Sequence, residues 1–107
     1  MSEWEKTKCL LCGKEAEKHT YKDGYKFQCE ECPLFAVPGY WYFWIEKQST
    51  SNEKHALATY LKNHPDPKGN FRVIDEDFIL HALQNMQKSP LLNKAKKAKF
   101  KYIKNRD

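Results

Sequence analysis

The chain has 107 residues, 40% of them apolar and 31% charged, with a formal charge of +5. That length suits one small domain, 1–107, which can hide only about two-thirds of its unfolded surface and gains from a metal staple. The longest apolar run, Leu34 to Ile45, is broken by Pro38 and Gly39 and is too short to span a bilayer.

The first residues, Met1 to Lys6, lack the basic start, apolar run and cleavage site of a secretory signal. A cytoplasmic protein without membrane contact is expected. In a reducing compartment paired cysteines more often hold a metal than close a disulfide. The charge is also unevenly distributed: residues 1–87 carry 11 Lys and Arg against 13 acids, and residues 88–107 carry 8 against 1. A divalent ion held by four thiolates would bring the whole chain to about +3 and leave the basic tail untouched. One-sided charge of this kind steers anionic partners to one face.

In chain order, the first signal is Cys9-Leu10-Leu11-Cys12, followed after sixteen residues by Cys29-Glu30-Glu31-Cys32. Two such pairs joined by 15 to 20 residues have the spacing of a zinc ribbon, roughly as wide as two knuckles converging on one tetrahedral ion require. Gly13 suits the tight turn after Cys12. Between the pairs, 14–21 and 25–29 read as strands, with Lys22-Asp23-Gly24 as the hairpin turn. Four thiolates fill zinc's coordination shell and leave no position for water or substrate, so the expected role of the metal is structural. Iron in the same sulfur tetrahedron, free thiols and disulfides are the alternatives.

Leu34 to Val37 can add a third strand, and Pro38-Gly39 then predicts a turn. Five aromatics follow: Tyr40, Trp41, Tyr42, Phe43 and Trp44. No regular element points five consecutive side chains one way, so part of the run should stay on the surface or meet another element. A core-and-lid role explains these rings most simply. The functional reading makes Tyr40, Trp41, Tyr42 and Trp44 a stacking or partner-binding surface.

Thr50-Ser51-Asn52-Glu53 has the form of a capping box and predicts a helix whose Ala56, Leu57, Tyr60 and Leu61 share an arc. His64-Pro65 and the Pro67-Lys68-Gly69-Asn70 stretch end it. Residues 71–74 lean toward strand. Asp75 then caps a helix with Phe78, Ile79, Ala82, Leu83 and Met86 on its core face, and Glu76 and Asp77 near its positive end.

Ser89-Pro90 opens the last helix, 90–105, with serine as cap and proline in the first turn. Its apolar arc is Leu91, Leu92, Ala95, Ala98, Tyr102 and Ile103. Lys94, Lys96, Lys97, Lys101 and Lys104 fall opposite, with Phe100 among them, while Lys99 and Arg106 lie nearer the apolar arc and are expected to snorkel. A solvated lysine face is the simplest account. An aromatic among lysines is also what a single-stranded nucleic acid uses, phosphates on the lysines and a base on the ring.

His19, His55, His64 and His81 show no metal-ligand pairing, and the serines lack the glycine context of a nucleophile elbow. No nucleotide-phosphate loop is present. Helix capping accounts for Asp75-Glu76-Asp77 more simply than a magnesium site does. No catalytic constellation or small-molecule substrate site is evident.

Residues 9–37, on Cys9-Leu10-Leu11-Cys12-Gly13 and Cys29-Glu30-Glu31-Cys32, resemble a zinc ribbon. Rubredoxins are similar in spacing but carry a glycine after each pair. Gly13 matches that pattern and Pro33 does not. The longer order of ribbon, Ala56–Leu61 helix, 74–83 segment and closing helix with Tyr102-Ile103 is similar to ribbon-headed modules of bacterial and phage-related proteins, some associated with phage defence. That resemblance implies recognition or regulation more than chemistry, because an effector domain of the kind that often follows such a head is not seen here.

The expected fold is α+β: a zinc-stapled β ribbon of two to three strands in 9–37, then three to four packed helices in 38–107. The expected function is a non-enzymatic module with one structural Zn2+ that binds nucleic acid through its basic last helix. A protein-protein adaptor using the aromatic run is the alternative, and an iron electron carrier is third. Oligomeric state has no signature in the sequence.

Overall fold

The computed structural model describes residues 4–66, 68 and 70–105, with side chains to Lys99. The element order is β1 (Glu5–Lys8), β2 (Glu15–Tyr21), β3 (Gly24–Cys29), β4 (Phe35–Pro38), α1 (Gly39–Gln48), α2 (Ser51–Asn63), β5 (Arg72–Val73), α3 (Glu76–Leu83) and α4 (Pro90–Asn105). The architecture is α+β, as expected, but the sheet has five strands in sequence order rather than two or three. Four form an antiparallel meander, and β5 returns through α1 and α2 to pair parallel with β4, Phe35 opposite Arg72 and Ala36 opposite Val73.

The two additional strands have different physical origins. β1 reads Glu-Lys-Thr-Lys, without apolar alternation, yet it lies opposite β2 with Glu5 facing Lys18, Lys6 facing Glu17 and Lys8 facing Glu15. Opposite charges across a ladder can contribute about 0.2–1 kcal/mol each, but none of these pairs, all among the described residues, closes to 4.0 Å, and Lys18 sets its ammonium over Tyr25, so the backbone ladder to β2 defines this strand. β5 is two residues long and exists because β4 offers an edge: the amide of Ile74 donates to the carbonyl of Ala36 at 2.8 Å.

Two dipeptides that read as turns instead form a contact. The hairpin loop is Lys22-Asp23, with the positive φ of 54° at Lys22, and Gly24 is already the first residue of β3. Pro38 closes β4 and occupies the N-cap position of α1 without a side-chain cap, so the helix starts at Gly39 with no separate turn. The amide of Gly39 donates to the carbonyl of Asp23 at 3.0 Å. A Cβ on Gly24 would fall 2.7 Å from Pro38 Cα and nearer still to the Val37 carbonyl oxygen. Gly24 is therefore required by the approach of two backbones, not by the turn.

The core lies between the helices and the sheet face that carries Phe27 and Phe35, whose rings stack with centroids 5.2 Å apart. Ile45, Leu57, Leu61, Ile74, Ile79, Leu83 and Leu91 complete it, so the expected arcs of α2 and α3 and the first turns of α4 face inward, while Met86 lies past the end of α3. Ala56, Tyr60, Ala82 and Met86 are half-buried at its rim. The caps also form as expected. Thr50 and Glu53 close a capping box on α2, and the Asp75 carboxylate accepts from the amide of Phe78 at 3.0 Å. Among the described residues no helix is long and apolar enough to cross a membrane.

Candidate metal centre

Sheet register explains why the two cysteine pairs meet. β1 ends at Lys8 opposite Glu15, the first residue of β2, and β3 ends at Cys29 opposite Ala16. Both knuckles therefore leave the same end of the sheet. In the first, the amide of Cys9 donates to the carbonyl of Lys14 at 2.7 Å and the amide of Gly13 to the carbonyl of Cys9 at 3.1 Å. Gly13 makes this turn at φ 78°, a left-handed backbone that glycine adopts without steric cost. In the second, the amide of Glu31 points at Cys29 Sγ from 3.4 Å.

The sulfurs of Cys9, Cys12, Cys29 and Cys32 all lie within 4.8 Å of one another. The Cys9–Cys32 separation is 4.0 Å and the Cys12–Cys29 separation 3.4 Å. Four sulfurs placed ~2.3 Å from a central ion stand about 3.8 Å apart, so this cluster has the dimensions of a tetrahedral thiolate site. A disulfide sulfur pair sits at about 2.05 Å, well inside these separations. Cys9 and Cys32 are buried at 4% and 5% exposure and join the core beside Leu10, Leu11 and Phe27, while Cys12 and Cys29 are half-buried.

The electrostatics of the group favour a cation. The Cys9–Cys32 sulfur contact, against the opposing effect of burial, lowers the Cys9 thiol to about 5, helped by the amides of Cys12 and Leu11. Burial, aided by the other cysteines, raises the Cys12 thiol to about 11. The Cys32 thiol is pushed upward by its hydrogen bond to Cys9, by burial and by the Cys9 charge. The pocket accommodates one negative charge and resists the next, and a metal ion at its centre would discharge them all. The four cysteines could thus hold one metal ion, and the donor set fits a thiophilic one.

The other candidate residues fall in quite different places. Trp41 is a core residue, 3% exposed, whose indole N–H donates to a Glu76 carboxylate oxygen at 3.1 Å, which corrects its assignment to a partner surface. It faces inward because α1 places it one turn from Ile45. Tyr42 is half-buried against Tyr25 and Phe27, and its hydroxyl donates to Glu46 at 3.0 Å. Tyr40 is exposed, and Trp44 is half-buried. On α4, Leu91, Leu92 and Ala95 are buried, and Lys96 and Lys97 are exposed. Lys94 is not on the open arc with them: it is half-buried, its ammonium 4.7 Å from the Trp44 ring centre. Lys99 pairs with Asp77 at the rim of α3. The side chains of Phe100, Lys101, Tyr102, Ile103 and Lys104, and all of Arg106, lie outside the described residues.

Two residues of consequence are not evident from the sequence pattern. Phe43 is 52% exposed, and its position three after Tyr40 would have marked it once 39–48 was read as a helix. Glu53, by its motif the cap of one helix, serves two. The four histidines do not join the cysteine cluster. His64 and His81 set Nδ1 against the carbonyls of Tyr60 and Asp77 one turn back on their own helices.

Comparison of the chain with protein-family models, with curated proteins and with solved structures finds no match.

Proposed function

We propose that this chain is a non-enzymatic module folded around one structural zinc ion, and that it binds nucleic acid through the lysine face of α4. The observation that carries the reading is the conjunction of a four-sulfur cluster with the exposed lysines Lys96 and Lys97 on α4. Zinc in four thiolates has no open position, so the metal serves to hold the sheet end together rather than to act on a substrate. Lys96 and Lys97 are exposed and the tail from residue 88 carries 8 Lys and Arg against 1 acid, a footprint that attracts polyanions.

The test is a salt series with labelled single strands, duplex and RNA. Affinity should fall with salt, with a slope of about −0.7 per phosphate neutralised on single strands. Changing Lys96 and Lys97 together to glutamine should flatten that slope. Absence of binding at low salt, or a double variant that binds like wild type, would overturn the reading. A protein adaptor is the second reading, favoured by the exposure of Tyr40 and Phe43 at 53% and 52%. An iron electron carrier is third, and intense colour in purified protein would bring it forward.

A further inference from the structure

Residues on α1 advance by about 100° each, so Tyr40, Phe43, Trp44 and Lys47 share one side and Trp41 and Ile45 the other. Burial follows the same division. Trp41 and Ile45 are buried, Tyr40 and Phe43 are more than half exposed, and Lys47 is exposed. α4 packs beside α1, and the Lys94 ammonium lies 4.7 Å from the ring centre of Trp44 and 5.8 Å from that of Tyr40. Lys97, one turn further along α4, is exposed. The aromatic helix and the lysine helix, which the sequence presents as rival sites, therefore meet on one surface.

Charge argues for the occupant of that surface. Lys94 lies over two of the rings, Lys47 shares their side of α1 by helical spacing, and Lys97 follows Lys94 by one turn of α4. Two acids near the rings are already engaged: Glu46 stands 4.0 Å from Lys47 and accepts from the Tyr42 hydroxyl, and Glu76 accepts from the Trp41 indole. We propose that the joint face of α1 and α4 is a stacking platform for single-stranded nucleic acid, with unpaired bases on Tyr40 and Phe43 and phosphates on Lys47, Lys94 and Lys97. This rests on the nucleic-acid reading above and narrows it. Exposed rings favour single strands because a duplex offers base edges in its grooves and keeps the base faces stacked on each other. Lys94 over Trp44 is already positioned by the ring, so less of its freedom is lost when a phosphate arrives.

The experiment uses the full chain, an oligothymidylate, and a duplex of equal length. Tyr40→Ala and Phe43→Ala remove exposed rings, and their melts, compared with wild type, verify that the fold is kept. Wild type should bind the single strand more tightly than the duplex. Each ring variant should bind it about 5- to 150-fold more weakly with an unchanged salt slope, because stacking is not ionic. Lys94→Gln should reduce the slope by about 0.7. Ring variants that bind like wild type, while the Lys96 and Lys97 double variant loses affinity, would overturn the platform and leave the lysine face standing. Wild type that binds no oligonucleotide removes both proposals. If it then binds polyglutamate in a Tyr40- and Phe43-dependent way, the surface belongs to an acidic protein partner.

Discussion

Glu53 and Ser89, separated by 36 positions, join the starts of two helices through one buried carboxylate. One oxygen of Glu53 accepts from the amide of Thr50 at 2.8 Å and completes the capping box of α2. The other accepts from the Ser89 hydroxyl and from the amide of Leu91 at 3.1 Å, at the first turn of α4. Ser89 in turn accepts from the amide of Leu92 at 2.9 Å. Glu53 is 0% exposed, and its bonds to Ser89 and Leu91 are buried, so those two donors have no water to replace it.

Replacing Glu53 by alanine strands two buried donors, the Ser89 hydroxyl and the Leu91 amide, at about 1–3 kcal/mol each, and the expected loss of stability is at least about 2 kcal/mol. Thr50→Ala removes only the serial cap on α2 and should cost about 1 kcal/mol. Urea unfolding with unchanged m-values compares the two. Equal midpoints for the two variants would show that the link from α2 to α4 has little energetic weight.

The aromatic run provides a second comparison within one helix. Trp41→Ala opens a cavity in the core and leaves a Glu76 oxygen without its donor, so it should cost about 3–5 kcal/mol. Phe43→Ala removes a ring that is already half in water and should stay within about 0.5 kcal/mol of wild type. Thermal melts of both variants decide the matter. Strong destabilisation by Phe43→Ala would mean that its ring is covered, and would remove it from any binding surface.

Gly13 and Gly24 should respond to substitution for different reasons. At Gly13 an added Cβ meets nothing within 4 Å, so Gly13→Ala bears only the backbone strain of a left-handed residue, about 1–2 kcal/mol, and Gly13→Asn less. At Gly24 the Cβ would run into the backbone of β4, which cannot move without separating β3 from β4. Gly24→Ala should therefore cost more than Gly13→Ala, and Gly24→Asn should offer no relief. The order of the four denaturation midpoints checks this. Rescue by asparagine at position 24 would mean that a left-handed turn, not a close approach, governs that site.

What could be read in the sequence was local. Cysteine spacing, the Thr50 to Glu53 box, the Asp75 cap and the Ser89-Pro90 start each declare themselves within a few residues, and apolar periodicity identified the inner faces of α2, α3 and the first turns of α4. What could not be read depends on partners distant in the chain. β1 has no apolar pattern and is defined by its ladder to β2, and β5 is defined by the free edge of β4. Lys94 looked like part of an open lysine arc because a helical wheel does not show that α1 runs alongside. The Asp23-Gly24 and Pro38-Gly39 pairs carry turn chemistry, and only the folded chain reveals that they touch each other.

The last prediction concerns the metal, because the two cysteine pairs tie opposite edges of the β1–β3 meander into the core. Purified protein should contain about one zinc per chain and be colourless. A strong chelator should unfold at least the sheet end, since binding free energy at such sites is folding free energy. Cys9 and Cys32 pack among Leu10, Leu11, Ala16 and Phe27, whereas Cys12 and Cys29 are half-buried. Cys32→Ser should therefore lower stability more than Cys12→Ser even after the metal has been stripped from both, because a hydroxyl in the core position is buried without a guaranteed partner. Circular dichroism of the two variants, with zinc and after chelation, separates loss of the ion from loss of packing. If wild type keeps its full signal and its melting point when the metal is gone, the cysteines are not the staple of this fold, and the zinc reading falls.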